Sequence, residues 1–168
     1  VMVAIMTMTP IHVTHHGGSV SLVGITISLH ILGMYALAPA VGYVADRWGY
    51  RFSIGAGLAI FAASLLAGGL HPESMGWIMT SLILLGVGWS FINVSGSALF
   101  ATVISKQERA SVQGGVDALS NLCGATAAFA AGPLMAISSF SALTVIAAIV
   151  LLPLAAMTSL VPARAGAE

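Results

Sequence analysis

Charged side chains are nearly absent from this sequence, in which Asp, Glu, Lys and Arg together make up only 6% of 168 residues. A water-soluble domain carries roughly 25% of such residues. Since 58% of the residues are hydrophobic, too little polar surface remains to cover a water-soluble globule. The zero net charge also gives no indication of a nucleic-acid partner. The scarcity of charge therefore favours an integral membrane protein that contacts the lipid bilayer.

Cysteine is also scarce, because Cys123 is the only one in the sequence. A lone cysteine excludes a disulfide framework, and its place in an apolar run favours a small packing residue. The sequence begins at Val1 with neither a methionine nor a basic leader, so no signal peptide is predicted. Because Val1 to Ile11 looks like the remainder of a longer span, we expect the chain to be a fragment.

Long uncharged apolar runs fill most of the sequence. A helix needs about 20 apolar residues to cross a bilayer, and continuous rather than alternating runs disfavour a β-barrel. The sequence therefore predicts an all-α, polytopic bundle of six transmembrane helices, in a single domain over residues 1–168. The predicted helices are Val1–Thr14, which is short for a full crossing, Ser21–Val44, Phe52–Leu70, Met75–Ile104, Ala110–Ile137 and Phe140–Val161.

A charged turn separates the second run from the third. It holds Asp46, Arg47 and Arg51, and we expect a tight turn from Asp46 to Arg51 at the membrane surface. In that arrangement Asp46 lies near the start of the following helix and Arg47 at the end of the preceding one, as the helix dipoles favour. Gly42 and Gly49 allow close backbone approach and a sharp change of direction.

The pattern Gly42-x-x-x-Asp46-Arg47-x-Gly49-x-Arg51 resembles the signature loop of the major facilitator superfamily of secondary transporters. The resemblance implies half of a twelve-helix fold, a small-molecule substrate and a missing N-terminal six-helix half as partner. It also implies a gate latch, in which Asp46 bonds the cytoplasmic end of a span in the other half while Arg47 and Arg51 orient it. The alternative is a loop that only anchors the topology.

Two features favour the second, C-terminal half of such a transporter. The fourth run carries no charge, whereas first-half members usually hold an arginine there, and the sixth run leads directly into a short tail. The pattern Gly124-x-x-x-Ala128-x-x-x-Gly132-Pro133 also resembles the glycine–proline pattern of antiporter-type members. The spacing of four by itself predicts a close-packing helix face.

All five basic residues fall on one predicted side of the membrane. Because successive spans alternate in direction, the turns and tail that contain them lie on the same face; these residues are Arg47, Arg51, Lys106, Arg109 and Arg164. Under the positive-inside rule that face is cytoplasmic. We therefore expect a multi-pass protein of the cell membrane with its C-terminus in the cytoplasm.

Polar residues within the runs are the candidates for a substrate or proton pathway. Asp117 is the only acid inside a predicted span, and intramembrane charges are costly and usually functional. It could be a proton- or cation-coupling carboxylate, or an interfacial acid bonded to a neighbouring helix. Asn121 lies one turn further along the same helix face.

Histidines and an asparagine complete the candidates. Mid-span His30 could hydrogen-bond a neighbouring helix, which is the commoner case, or relay protons, because imidazole titrates near neutrality. Asn93 must find partners on another helix or on a substrate. His12, His15 and His16 have the helical spacing of a shared metal site, but nothing acidic or thiolate completes the set. We predict a solvated turn there, with no metal or other cofactor.

Together these features predict a proton-coupled secondary transporter for a small organic or drug-like solute, acting by alternating access. A membrane receptor or structural subunit that has lost transport is the alternative. An enzyme is not predicted, because no Ser/His or paired-acid arrangement lies on adjoining spans.

Overall fold

The computed structural model describes residues 1–160, and the backbone in that range is helical apart from short connections. Its α-helices are α1 (Met2–His15), α2 (Val20–Tyr35), α3 (Ala38–Trp48), α4 (Tyr50–Leu70), α5 (Met75–Val103), α6 (Arg109–Ile137) and α7 (Phe140–Met157). A short 3-10 helix, Thr158–Leu160, continues α7. The predicted all-α fold is confirmed. The predicted tail with Arg164, like the predicted helix end at Val161, lies outside the described residues.

Five helical segments are long and apolar enough to cross a membrane, counting α2 and α3 as one segment of 29 residues. The helix α1 has 14 residues, which at ~1.5 Å each give it a length of only ~21 Å. The hydrocarbon core of a bilayer is ~30 Å thick. The helix α1 is therefore the short first member of the bundle, as its sequence predicted.

The second predicted span is interrupted rather than continuous. Helix α2 ends at Tyr35 and α3 begins at Ala38. Pro39 lies in the first turn of α3, where a missing N–H breaks no helical hydrogen bond. In a continuous helix its ring would clash with the carbonyl group four residues earlier, which is that of Tyr35. The predicted span from Ser21 to Val44 is thus present as one segment, but the prediction that it forms a single continuous helix is wrong for this reason.

Helices α4 and α5 form the most extensive helix pair of the described chain. A Cβ atom on Gly57 would lie 3.0 Å from the carbonyl oxygen of Gly88, and one on Gly88 would lie 3.0 Å from that of Gly57. Such close backbone approach is typical of membrane helices, since small side chains permit dense van der Waals contact. The two glycines thus set the distance between the helices.

Buried serine pairs join the same two helices. Ser64 Oγ donates to the carbonyl oxygen of Ser81 at 2.6 Å, and Ser81 Oγ donates to that of Ser64 at 2.8 Å. Closer to the α3–α4 turn, Ser95 Oγ donates to Ser53 Oγ at 2.6 Å. These bonds satisfy hydroxyl groups that would otherwise be costly to bury. The last pair also shows that the start of α4 and the end of α5 lie at one end of the bundle.

The hydrophobic core lies where α1, α4, α5 and α7 meet, and its larger members include Ile5, Val13, Phe61, Leu82, Leu85, Phe140 and Leu143. Helix α6 differs from these helices, because Ala131 is the only buried residue along its described length. Its contacts are mainly with α1. Most of α6 is therefore uncovered in this chain, and that uncovered surface positions the candidate site.

Candidate functional site

A groove of about 730 Å³ opens between α1, α2, α5 and α6, and we call it the polar groove. Its polar lining consists of Asn93 and Ser97 on α5, with Gln113, Asp117, Ser120 and Asn121 on α6. Helix geometry explains the pattern, because residues four apart on one helix share a face. Asn93 and Asp117, which the sequence singled out on separate helices, thus line one cavity. Asn121 joins them from the next turn of α6.

Asp117 is the charged group of the polar groove. Its side chain is exposed, and Gln113 Nε2 donates a hydrogen bond to its Oδ1 atom at 3.0 Å. Within residues 1–160 it forms no ion pair. No lysine or arginine is among the described residues that line the groove. Aliphatic side chains such as Met34 and Ile92 also line the groove, and its polar part is acidic, which favours neutral or cationic molecules over anions.

Aromatic rings supply the other part of the lining. Tyr35 and Trp89 meet edge to face, with their ring centroids 5.7 Å apart, and Phe100 lies further along α5. Sequence reasoning did not identify Tyr35 and Trp89 as site residues. Helix α2 ends at Tyr35 beside α5, and this relation between distant segments leaves no local pattern in the sequence. Pro39 is the one sequence signal that could have drawn attention to Tyr35, because a helix tends to break near the residue four positions before a proline.

His30 does not line the polar groove. It is completely buried between α2 and α5, where Nδ1–H donates to the carbonyl oxygen of Leu82 at 2.7 Å. Gly86 packs so closely that an added Cβ would collide with the carbonyl oxygen of His30. The other ring nitrogen, Nε2, is buried without a partner among the described residues. The interhelical hydrogen bond is thus present, and the proton-relay role stays a prediction.

The charged turn is shorter than the sequence predicted. Asp46 and Arg47 belong to the last turn of α3, and Arg51 belongs to the first turn of α4. Gly49 alone joins the helices, with a φ angle of 91° that glycine adopts without a steric penalty. A tight turn joins the two helices as predicted, but the predicted bounds, Asp46 to Arg51, are too wide, because one glycine is sufficient to separate the helices. Asp46 therefore lies at the end of α3 and not at the start of α4.

The charged residues at this junction are free of ion pairs within the described chain. Asp46, Arg47 and Arg51 are all exposed, and none of them forms a salt bridge in residues 1–160. Arg47 donates to the hydroxyl group of Tyr43 at 3.3 Å. Around Gly42, the space that a Cβ would occupy is open. The latch partner predicted for Asp46 is not among the described residues.

The close-packing face predicted on the fifth span makes only partial contact within this chain. Gly124 packs against α1, where an added Cβ would lie 3.3 Å from the nearest side-chain atom. Ala128 is half-buried, whereas Gly132 has open space around it and Pro133 is exposed. Ala131 is buried instead, at 1% exposure. Gly132 and Pro133 thus belong to the uncovered surface of α6.

The histidines at the end of α1 are placed differently from the prediction. The helix continues to His15, and His12 is buried. Its Nε2–H donates to the carbonyl oxygen of Pro72 at 2.7 Å, and its ring stacks on Phe140 with 4.6 Å between centroids. The predicted solvated turn is wrong for His12, because the α4–α5 loop and the start of α7 cover it. His16, in contrast, is exposed, and its Nε2 lies 3.3 Å from a carboxylate oxygen of the same loop.

Comparison with known protein families identifies the family to which this helical bundle belongs. The model of the Major Facilitator Superfamily matches residues 1–167. The chain belongs to the major facilitator superfamily. The signature-loop resemblance is thereby confirmed, and the fold is that of a half-domain of this superfamily. Together with the five segments able to cross a bilayer, membership identifies a multi-pass membrane protein.

Relatives of the chain are named as transporters, two of them as members of this superfamily. The uncharacterised Bacillus subtilis transporter YdeG is 41% identical over 150 residues, which are 89% of this chain and 35% of YdeG. For YddS of the same organism, the identity is 39% over 150 residues, covering 89% of this chain and 34% of YddS. The riboflavin transporter RfnT of Brucella anthropi is 32% identical over 171 residues, covering 99% of this chain and 42% of RfnT. The chain therefore spans about a third to two fifths of the length of these relatives.

Proposed function

We propose that this chain forms the C-terminal six-helix half of a secondary active transporter of the cell membrane. The transporter moves a small organic solute by alternating access and couples that movement to protons. The polar groove carries the proposal, because four helices line it and one of them, α6, is otherwise uncovered. A second six-helix half would cover α6 and close the groove into a central site.

The lining of the polar groove suits an organic solute. Asn93 and Asn121 offer both donors and acceptors, and the rings of Tyr35 and Trp89 offer aromatic surface to a planar molecule. The single carboxylate makes the site selective against anions. The name of one relative as a riboflavin transporter supports an organic solute as the substrate class.

Asp117 is the proposed proton-coupling group. The amide of Gln113 holds it at 3.0 Å, and an amide can donate to a carboxylate or accept from a protonated acid. The same side-chain pair therefore serves both protonation states. Protonation neutralises Asp117. It therefore lowers the free energy needed to reach an occluded state of the transporter, in which the groove is shielded from water.

The charged junction fits a gate at the cytoplasmic end of the protein. The start of α4 and the end of α5 lie together, as Ser53 and Ser95 show. Arg51 and Lys106 therefore extend from the same end of the bundle, and the positive-inside rule supports a cytoplasmic location. In the proposed mechanism, exposed Asp46 bonds the missing half in one access state and releases it in the other.

Proteoliposome flux with the full-length protein tests the function. The probes are radiolabelled riboflavin and ethidium, with a pH-sensitive dye inside the vesicles to follow protons. We expect a pH gradient to drive solute flux in the wild type and not in Asp117→Asn. Glu108→Gln is the matched control, because Glu108 is an exposed acid near the start of α6 that does not line the groove. Gradient-driven flux that is unchanged in Asp117→Asn would remove this carboxylate from the coupling mechanism.

A further inference from the structure

A second groove lies between α4 and α7 and shares no residue with the polar groove. Its main part has a volume of about 370 Å³ and is lined by these two helices alone. A separate pocket that contains Arg51 lies next to it, because Ala59 and Thr158 of that pocket are each three residues, about one helical turn, from Ala62 and Ala155 of the main part. We call the combined feature the α4–α7 groove.

The wall of the α4–α7 groove is suited to hydrocarbon. Ser141 Oγ donates to the carbonyl oxygen of Gly69 at 2.8 Å, and Thr144 Oγ1 donates to that of Ser141 at 2.7 Å. Both hydroxyl groups are therefore already used within the protein. The exposed part of the wall is aliphatic and includes Leu66 and Leu152. A polar solute would find no unused side-chain hydrogen-bond donor in this main part.

One end of the groove has the opposite character. Arg51 is exposed there and forms no ion pair within the described chain. Beside it, Trp48 and Phe52 meet edge to face, with 5.1 Å between centroids. Tryptophan is enriched at the membrane–water interface, and a guanidinium group binds phosphate oxygens in pairs. This end therefore has the chemistry of a headgroup site.

The half of the groove nearest Arg51 matches one leaflet of a bilayer. Along α4 the whole groove runs from Arg51 to Leu70, nineteen residues or ~28 Å at ~1.5 Å per residue, and Arg51 and Ala62 are eleven residues or ~16 Å apart. Half of the ~30 Å hydrocarbon core is ~15 Å. A molecule with its phosphate at Arg51 would thus place its hydrocarbon along the apolar wall. Basic pockets between membrane helices are known to bind lipid headgroups.

We infer that the α4–α7 groove binds a phospholipid with an anionic headgroup. One acyl chain lies along the wall that includes Ala62 and Ala148, and the lipid phosphate pairs with Arg51. The lipid explains the apolar wall and a cation that has no ion pair within residues 1–160 together. Since the groove is separate from the polar groove, this inference does not depend on which solute the protein moves.

Lipid retention by the purified full-length protein tests the inference. The protein is delipidated and incubated with phosphatidylglycerol or with phosphatidylcholine of the same acyl chains, and retained lipid is counted by native mass spectrometry. We expect the wild type to prefer phosphatidylglycerol and Arg51→Gln to lose that preference by about fivefold, as one charge near a headgroup implies. Lys106→Gln is the control, because Lys106 is an exposed cation outside the groove.

A second variant tests the apolar wall without changing charge. Ala148 is exposed in the groove, so Ala148→Phe fills space needed by the acyl chain and should lower retention of both lipids. Equal effects of Arg51→Gln and Lys106→Gln, or equal retention of the two lipids by the wild type, would overturn the inference. So would a rise in retention after removal of residues 161–168, which would assign the groove to the chain's own tail. A disulfide between two copies through Ala148→Cys, in a Cys123→Ser background, would assign it to self-association and also overturn it.

Discussion

Gln113 and Asp117 are joined by a hydrogen bond of 3.0 Å across one turn of α6, and both line the polar groove. The bond fixes the direction of the carboxylate, because the two residues are four apart on one helix face. The amide is thus a positioning group for the proposed coupling residue.

Replacing Gln113 with leucine should weaken coupling without removing the carboxylate. The Asp117 side chain would lose its amide donor, and a hydrogen bond between exposed side chains four apart on a helix contributes about 0.2–0.5 kcal/mol. We expect proton-driven solute flux to fall by about twofold, while flux without a gradient changes less. The measurement is the ratio of the two fluxes in proteoliposomes. Gln107→Leu is the control, because Gln107 is exposed and outside the groove; an equal fall in both variants would contradict the role of Gln113.

The contact between His30 and Gly86 should make the α2–α5 pair sensitive to one methyl group. An alanine at Gly86 would collide with the backbone carbonyl of His30, which cannot rotate away as a flexible side chain can. We expect Gly86→Ala to destabilise the protein by about 1–3 kcal/mol, as overpacking does. Thermal unfolding in detergent measures the effect. Gly96→Ala, on the same helix but with open space around it, should be neutral or stabilising, because alanine favours helix.

The sequence was sufficient to predict the apolar helical segments. It was insufficient to predict that the second of them is divided into α2 and α3. Uncharged runs fix helix existence, because backbone groups in lipid must be bonded within a helix. The break after Tyr35 depends on Pro39 and on whether α5 can support the ends of α2 and α3, which is a tertiary matter. The same holds for His12, whose burial depends on Phe140 at the far end of the sequence.

The polar groove, too, could be predicted from the sequence only in part. Asp117, Asn93 and Asn121 could be identified singly, since polar groups are rare within membrane spans and require partners. Their convergence, and the exclusion of His30, depend on which faces of α2, α5 and α6 meet. The glycine pattern of α6 predicted a packing face, but a spacing of four does not say which helix it meets. Among the glycines of this pattern, Gly124 is the one that meets a neighbouring helix of residues 1–160 closely, at α1.

Membrane topology can be checked by labelling single cysteines with a membrane-impermeant maleimide in a Cys123→Ser background. Lys106→Cys and Arg47→Cys should react from the same side of the membrane. Lys106 lies in the α5–α6 loop and Arg47 lies beside the α3–α4 turn, and both connections are at one end of the bundle. Ser74→Cys, in the α4–α5 loop, should react only from the other side. In intact cells we expect label at Ser74→Cys alone, with Lys106→Cys labelled after lysis. If Ser74→Cys and Lys106→Cys reacted from the same side of the membrane, the prediction that α5 crosses the membrane would be refuted.

The two glycines of the signature pattern, Gly42 and Gly49, should differ in what they contribute to stability. At Gly49 the φ angle of 91° and the ψ angle of 156° define a backbone region that is essentially restricted to glycine, and such a conformation costs about 1–3 kcal/mol for residues with a Cβ. Gly42 lies within α3, where alanine is the better helix former, and the space for its Cβ is open. We therefore expect Gly49→Ala to lower the midpoint of thermal unfolding in detergent and Gly42→Ala to leave it unchanged or raise it. If Gly42→Ala is stable but abolishes flux in the full-length protein, this glycine is needed for contact with the missing half, because no neighbour in the described chain requires it.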